Sequence, residues 1–383
     1  MARPRADTLT VRQFGPIDEV TLDLADLTLL VGPQGTGKSI ALQLFKLTQD
    51  RLTIAKTARD NGLVWGSVQE FLDMYLGGGI GSSWTDDSEL SWRGRSVSLP
   101  PQNRRNPSPP WVFYVPAQRA LTIADGWPLA FTSYRSAPYV VRAFGLQLQR
   151  ILLGAGADTI FPSPAQLKAG LRNAIDRSVF HSGTLALQQH GLQRELRLLH
   201  GTAELPYMAW SAGQREFVPL LLALYDLLPA SAKTKRDDVG WVILEEPEMG
   251  LHPEAIVAVG ALVLELLHRG YRVILSTHHP LMLDIVWLIR ELQRCGAATP
   301  RDLLRAFGLD ARGDNVQMAT SVLSKECRVY NLHHGEHGVI ARDISSLDPG
   351  DEDPAISGWG GLTGVSEQFH EQLARVLERS DRT

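Results

Sequence analysis

One octet, GPQGTGKS at positions 32–39, constrains this chain more than any other stretch. Its spacing is G-x-x-x-x-G-K-[ST], and each fixed residue type has a physical task. Gly32, Gly35 and Gly37 allow a tight backbone path whose N–H groups converge on one concavity, a shape suited to phosphate oxygens. Lys38 adds a point charge toward the outer phosphates, and the Ser39 hydroxyl suits Mg²⁺. A glycine-rich loop alone can be an ordinary turn, so its flanks decide. Before it, LADLTLLV (24–31) places Leu27, Leu29, Leu30 and Val31 in a buried strand; after it, Ile40, Leu42, Leu44, Phe45 and Leu47 fall at helical spacing. Strand, glycine loop and helix together seat an anion at a helix N-terminus, and a nucleotide is the natural guest.

The 383 residues leave room for two or three average domains or for one elaborated α/β unit. A formal charge of −4 gives no global basic footprint, so any nucleic-acid contact has to be local. Cys295 and Cys327 are too few for a disulfide framework or a zinc cluster, which fits a cytoplasmic setting. MARPRADTLT lacks an apolar signal core, and the longest apolar run, AIVAVGALVLELL at 255–267, is interrupted by Glu265 and falls short of the roughly 20 residues a membrane span needs. No membrane association is expected.

Organisation along the chain follows from pattern changes. The opening alternates apolar and polar residues around Gly15-Pro16 and reads as strands leading into the octet. Residues 55–110 read as an insertion with mobile joints: a helical VQEFLDMYL, the loop GGGIGSS, a hairpin in SELSWRGRSVSL and the proline-rich PPQNRRNPSPP. In that loop Gly77, Gly78, Gly79 and Gly81 suggest flexibility before a second anion nest. WVFYVPAQRA (111–120) is a buried strand ending at Pro116. Helical segments, strand pairs around TLALQQHGLQRELRLLHG and a helix over 210–228 with Ser211, Gly213 and Gln214 in its first turn come next. The strand VGWVILEEPE, the helix PEAIVAVGALVLELLHR and the strand YRVILSTHHP then alternate as in a parallel sheet. A helix near LMLDIVWLIRELQR, a hairpin in 326–345, a polar stretch and an amphipathic helix over 365–380 complete the chain.

Two carboxylates, Glu245 and Glu246, end the hydrophobic strand Trp241–Leu244, at the edge where open α/β sheets place ligands. Glu245 suits a metal's surroundings, and Glu246 suits orienting or deprotonating water; the plainer alternative is that the pair caps the helix from Pro253. His278 lies close to the end of the next strand, within reach of a phosphate or as a satisfied structural histidine.

In this order, GPQGTGKS, VPAQR, SAGQRE, ILEEPEMGLHP and STHHP resemble the ABC-type ATPase heads, more narrowly the RecF, SMC and OLD (overcoming lysogenization defect) branch of the AAA-family ATPases. The likeness covers roughly 8–50, 111–120 and 205–285. It implies an α/β P-loop NTPase: an ABC-ATPase head with a mixed β-sheet core lobe (1–54, 111–120 and 236–345), the insertion at 55–110, a helical signature lobe (121–235) and a C-terminal hairpin and helix (325–383), all in one unit over 1–383. By the same resemblance Gly32, Pro33, Gln34, Gly35, Thr36, Gly37, Lys38 and Ser39 hold ATP, while Ser39, Gln118 and Glu245 serve Mg²⁺. Glu246 is the catalytic base, joined in catalysis by Gln118 of the Q-loop and the switch histidine His278. Ser211, Ala212, Gly213 and Gln214 form the signature that meets the γ-phosphate of a second subunit, which implies a homodimer closed by two ATP molecules. Gly250 to Pro253 stand at the D-loop, and Glu245 replaces the usual Asp.

OLD-type proteins add a metal-dependent TOPRIM nuclease. The acidic triplet available for one, Asp351, Glu352 and Asp353, lacks a preceding apolar strand and reads as a solvated loop. Two uses of the ATPase remain: driving a DNA-related or phage-defence process, or acting as a nucleotide-dependent switch that licenses a separately encoded effector. Arg93, Arg95, Arg104 and Arg105 beside Trp84 and Trp92 form a candidate basic aromatic patch for DNA, with a solvated loop over a small core as the alternative. A transporter subunit would need a membrane partner and an adenine-stacking aromatic, for which Phe14 is the candidate; the signature and EEPE segments resemble the non-transporter branch instead.

Overall fold

The computed structural model describes residues 7–101, 109–133, 136–155, 158–191, 193–364, 369 and 372–373. The helix expected over 365–380 therefore falls largely outside the described residues, as do Arg104 and Arg105.

Chain order follows hydrophobic pattern closely in the first part. Strands β1 (Thr8–Phe14), β2 (Ile17–Asp23) and β3 (Leu27–Val31) run into helix α1 (Lys38–Asp60). α1 continues past the boundary placed at residue 55, because Ile54, Ala55 and Ala58 still face the core. Next come α2 (Val68–Leu76), β4 (Glu89–Trp92), β5 (Arg95–Ser96), β6 (Val112–Val115), the small ribbon β7 (Ile123–Ala124) and β8 (Trp127–Pro128), and α3 (Tyr139–Gly154). The following lobe holds β9 (Thr159–Phe161), α4 (Ala169–Ile175), β10 (Thr184–His190), β11 (Gln193–His200), β12 (Ala203–Pro206) and α5 (Ala212–Leu227). The chain then alternates through β13 (Trp241–Glu245), α6 (Pro253–Arg269), β14 (Arg272–Ser276) and α7 (Pro280–Arg294). It closes with α8 (Pro300–Ala306), α9 (Asp314–Val322), β15 (Cys327–His334), β16 (Val339–Asp343) and α10 (Pro354–Ser357).

A ten-stranded sheet, ordered β5-β4-β1-β2-β16-β15-β3-β14-β13-β6, organises the molecule. Its centre is parallel: Leu29 of β3 pairs with Leu275 of β14 and Val329 of β15, and Val242 of β13 pairs with Val273 of β14 and Phe113 of β6. Parallel strands need cover on both faces. On β13, Val242 and Leu244 enter the core shared with α5, α6 and α7, whereas Trp241 and Ile243 enter the core shared with α1 and α2. A separate four-stranded antiparallel sheet, β12-β11-β10-β9, packs in the lobe that carries α5.

Within the 326–345 hairpin, β15 joins the central sheet directly beside β3. Two expectations change. The stretch after residue 60 is no mobile appendage: β4 pairs antiparallel with β1 (Leu9↔Trp92), Phe71 and Leu72 are fully buried, Trp84 meets Phe14 edge-on at 5.4 Å and Trp92 meets Phe45 at 5.3 Å. Both tryptophans pack on the core while half-buried; Arg93 lies over the Trp92 ring at 5.4 Å and pairs with Asp7, and Arg95 is exposed at the sheet edge, so among the described residues one arginine of the expected patch meets one of its tryptophans. Helices α8 and α9 are the second change, since no helix was expected between Arg294 and Glu326.

Candidate active site

The parallel centre of the sheet delivers four chain segments to one edge, the carboxyl ends of β3, β13, β14 and β6. After β3 the backbone turns at Gly32 (φ 133°), where a Cβ would stand 2.1 Å from the Leu332 carbonyl oxygen of β15; only glycine fits this approach. Gly35 and Gly37 take positive φ, and Gly37 caps α1 with no side-chain bond of its own. Pro33, Gln34 and Gly35 are exposed at the loop's crest, while Thr36 is buried with Oγ1 donating to Pro33 O at 2.8 Å. Lys38 is 5 % exposed, and its Nζ donates to the carbonyls of Gly32 and Pro33, both at 2.8 Å. Burial lowers the Lys38 ammonium to about 8, opposed by the nearby charge of Glu246.

Glu245 ends β13 buried at 2 % exposure, and its Oε2 accepts the Ala117 N–H at 3.1 Å from the segment after β6. Burial raises its carboxyl to about 7, while Ser39, Ala117 and Tyr114 favour the charged form. Its Oε1 nevertheless makes no hydrogen bond, nor does the Oγ of Ser276, its partner in β14. A buried carboxylate oxygen left over beside Ser39 is the donor set Mg²⁺ accepts, since that ion takes one or two protein oxygens and completes its shell with phosphate and water. No group of three or more His, Cys, Asp or Glu side chains gathers into a metal cage among the described residues.

Glu246 takes φ 41°, a costly conformation for a residue with a side chain. Its Oε1 lies 3.4 Å from Nε2 of His278. Burial, and then the charge of Lys38, push the His278 imidazole below its usual value, which leaves it neutral near pH 7. Gln118 is exposed at the rim, at the start of a short 3₁₀ turn from Arg119 to Thr122. Lys38, Glu245, Glu246 and His278 are thus brought together, with Ser39 beside Glu245 and Gln118 one residue beyond the Ala117 N–H that Glu245 accepts.

Ser211, Gly213 and Gln214 stand apart from that cluster at the start of α5. Ser211 is exposed and forms a capping box: its hydroxyl accepts the Gln214 N–H at 3.2 Å, and the Gln214 side chain accepts the Ser211 N–H at 3.1 Å. Gly213 packs on the turn after β13, where a Cβ would meet Gly250 O at 2.6 Å. α5 runs on unbroken through Pro219.

Two residues in this edge escaped the pattern reading. Glu248 Oε1 accepts the Thr277 hydroxyl at 2.7 Å and the His278 N–H at 2.9 Å, which fixes the histidine's backbone. Arg119 is buried at 0 % exposure and donates to the main chain of Glu245 and Glu246. A buried acid four positions into EEPEMGLHP and an arginine inside VPAQR were the available signals. The third acidic candidate, Asp353, caps α10 through Ala355 N–H and pairs with Arg342.

A glycine loop leading from β3 into α1 at the carboxyl edge of a parallel sheet, with paired glutamates two strands away on β13, is the arrangement of a P-loop NTPase head. The chain belongs to the family described as "AAA domain, putative AbiEii toxin, Type IV TA system", whose profile matches residues 81–284, more than half of it. Among curated proteins, "Old nuclease" of Escherichia phage P2 is 30 % identical over 122 residues, spanning 30 % of this chain and 19 % of that protein. Among solved structures, the SMC head domain from Thermotoga maritima is 13 % identical with a TM-score of 0.37, covering 89 % of this chain and 99 % of that one. An SMC head bound to the C-winged helix domain of ScpA is 12 % identical with a TM-score of 0.39, covering 89 % and 97 %.

Proposed function

We propose that the chain binds ATP with Mg²⁺ at residues 32–39 and hydrolyses it, in a homodimer whose two heads enclose the nucleotides. The observation that carries this reading is the meeting of Lys38, Glu245, Glu246 and His278 at one sheet edge, with Glu246 held 3.4 Å from His278. Lys38 and the N-terminal amides of α1 bind the phosphates. Ser39 and Glu245, with Gln118 at the rim, would hold Mg²⁺, which when bound neutralises charge that builds on the phosphates. Glu246 orients water and accepts its proton, and neutral His278 spends its single ring N–H, on Nε2, in holding the Glu246 carboxylate toward that water. The exposed Ser211 end of α5 offers a hydroxyl and small residues to the nucleotide of a second copy.

Phosphate release tests the enzyme reading. Glu246→Gln is expected to lower turnover by at least about 100-fold while ATP binding persists, in line with the usual contribution of a general base. Turnover at the wild-type rate would contradict the assignment.

The process served is proposed to be DNA-related or defensive, in view of the relative named a nuclease of a phage. A second reading, a switch that licenses a separate effector, draws on the toxin named in the family description. Added DNA that stimulates turnover, with stimulation collapsing as salt rises, supports the first. Indifference to DNA with ATP-dependent co-purification of another protein supports the second. No helix among the described residues is long and apolar enough to cross a membrane.

A further inference from the structure

Arg119 joins three segments that the proposed chemistry treats separately. All five of its N–H groups end on main-chain carbonyls. Nε donates to Glu216 O of α5 at 2.9 Å, Nη1 to Glu245 O at 3.0 Å and Pro116 O at 3.5 Å, and Nη2 to Glu246 O at 3.1 Å and Pro247 O at 3.4 Å. A buried arginine more often faces a carboxylate in a two-pronged pair. Here the Glu216 carboxylate is 3.6 Å from Nε, and its Oε2 makes no hydrogen bond. Burial accordingly lowers the guanidinium and raises the Glu216 carboxyl, so charge compensation between them is incomplete. The side chain serves geometry first.

What it holds is the strained residue. A non-glycine φ of 41° at Glu246 persists only where neighbours over-determine it. Three bonds do so: Glu246 N–H donates to Ser276 O at 3.0 Å, and the Glu246 carbonyl accepts from Met249 N–H and from Arg119, both at 3.1 Å. The same guanidinium grips α5 one turn beyond Ser211. Its own backbone is fixed in turn, since Thr122 Oγ1 donates to Arg119 O at 2.6 Å and the Tyr207 hydroxyl donates to Ala120 O at 3.2 Å.

We propose that Arg119 is a positioning residue that makes the end of β13 and the first turns of α5 one rigid unit, so that whatever seats against Ser211 sets the orientation of Glu246. This rests on the reading of Glu246 as the base. Lysine keeps the charge but offers three donors on a flexible stem and cannot span five carbonyls in three segments.

The test compares full-length Arg119→Lys, Arg119→Gln and Glu246→Gln by thermal melting, binding of a fluorescent ATP analogue, and steady-state kinetics. Both Arg119 variants are expected to bind the analogue within about 3-fold of wild type and to lose about 100-fold in kcat at unchanged KM, the scale of an ångström misplacement, with lysine failing to rescue. Wild-type kcat in Arg119→Lys would overturn the proposal, as would a kcat loss that only tracks the fraction of folded, nucleotide-binding protein. Should neither Arg119 variant fold, Thr122→Val keeps the guanidinium and removes the hydroxyl bond to Arg119 O that fixes its backbone. A kcat reduced about 5-fold at unchanged KM then supports the pin, and unchanged kcat overturns it. If instead Glu246→Gln itself turns over normally, the base assignment fails, a pattern distinct from failure of the pin alone.

Discussion

Two glycine-rich loops, 32–37 and 77–81, lie in this chain, and their backbones are committed to opposite ends. In the first, no acceptor among the described residues takes the amide N–H groups of Gly35, Gly37 or Lys38, and the 23-residue α1 begins at once. In the second, the Asp73 carboxylate takes the N–H of Gly79 at 2.8 Å and of Gly81 at 2.7 Å, and only a three-residue 3₁₀ turn follows. Gly81 is glycine because a Cβ would stand 2.0 Å from Gln69 O; Gly35 has open space around it. The second loop is therefore neither the flexible joint nor the anion nest that its composition suggested. Glycine content marks where a backbone can turn tightly, and the partners of its amides decide whether an anion can enter.

Sharpening this contrast begins with charge. Lys38→Ala is expected to weaken ATP binding by at least about 100-fold, the worth of a charge-assisted contact, whereas Asp73→Ala should leave affinity within about 2-fold by fluorescence titration. Equal losses in the two variants would erase the distinction between the loops. Next in size, Asp73→Ala frees two loop amides and should cost about 2 kcal/mol in urea unfolding with nucleotide affinity intact.

A smaller effect separates the loops by pH. Lys38 is lowered to about 8 from 10.5, so its contribution to stability is present above pH 10.5 and is lost as pH falls through 8. Lys38→Met should thus be more stable than wild type at pH 7, on the order of 1 kcal/mol because two carbonyls already solvate Nζ, and that gain should vanish toward pH 10.5. A gain independent of pH would contradict the cause assigned. Smallest of all, Gly35→Ala should cost about 1 kcal/mol for its φ of 79° alone, and Gly78→Ala, at an ordinary φ in open space, should stay within about 0.5 kcal/mol of wild type.

Local chemistry explains which parts were legible. The octet, the apolar run ending in Glu245-Glu246, the Ser211–Gln214 cap and the strand before His278 each carry their signal within a few residues. Pairing across the chain carries none. β15 lies beside β3 some 300 positions away, as in Cys327↔Leu27, and a hairpin pattern reads the same at the edge of a sheet or at its centre. The stretch after residue 60 was misjudged for a like reason, since its glycines and prolines were visible but the register Val11↔Leu90 was not. Arg119 and Glu248 work through bonds to main-chain atoms of distant residues, Arg119 Nη1 to Glu245 O among them. A carbonyl has no residue type, so no motif could announce it.

A nucleotide seated at Lys38 and completed by Ser211 of a second copy is the claim on which the function depends. Light scattering of Glu246→Gln with and without ATP and Mg²⁺ addresses it most directly. The 42.2 kDa chain is expected to double in mass when ATP is added, and Ser211→Arg in the same background is expected to abolish the doubling. A Glu246→Gln protein that binds ATP yet stays at 42.2 kDa would contradict it.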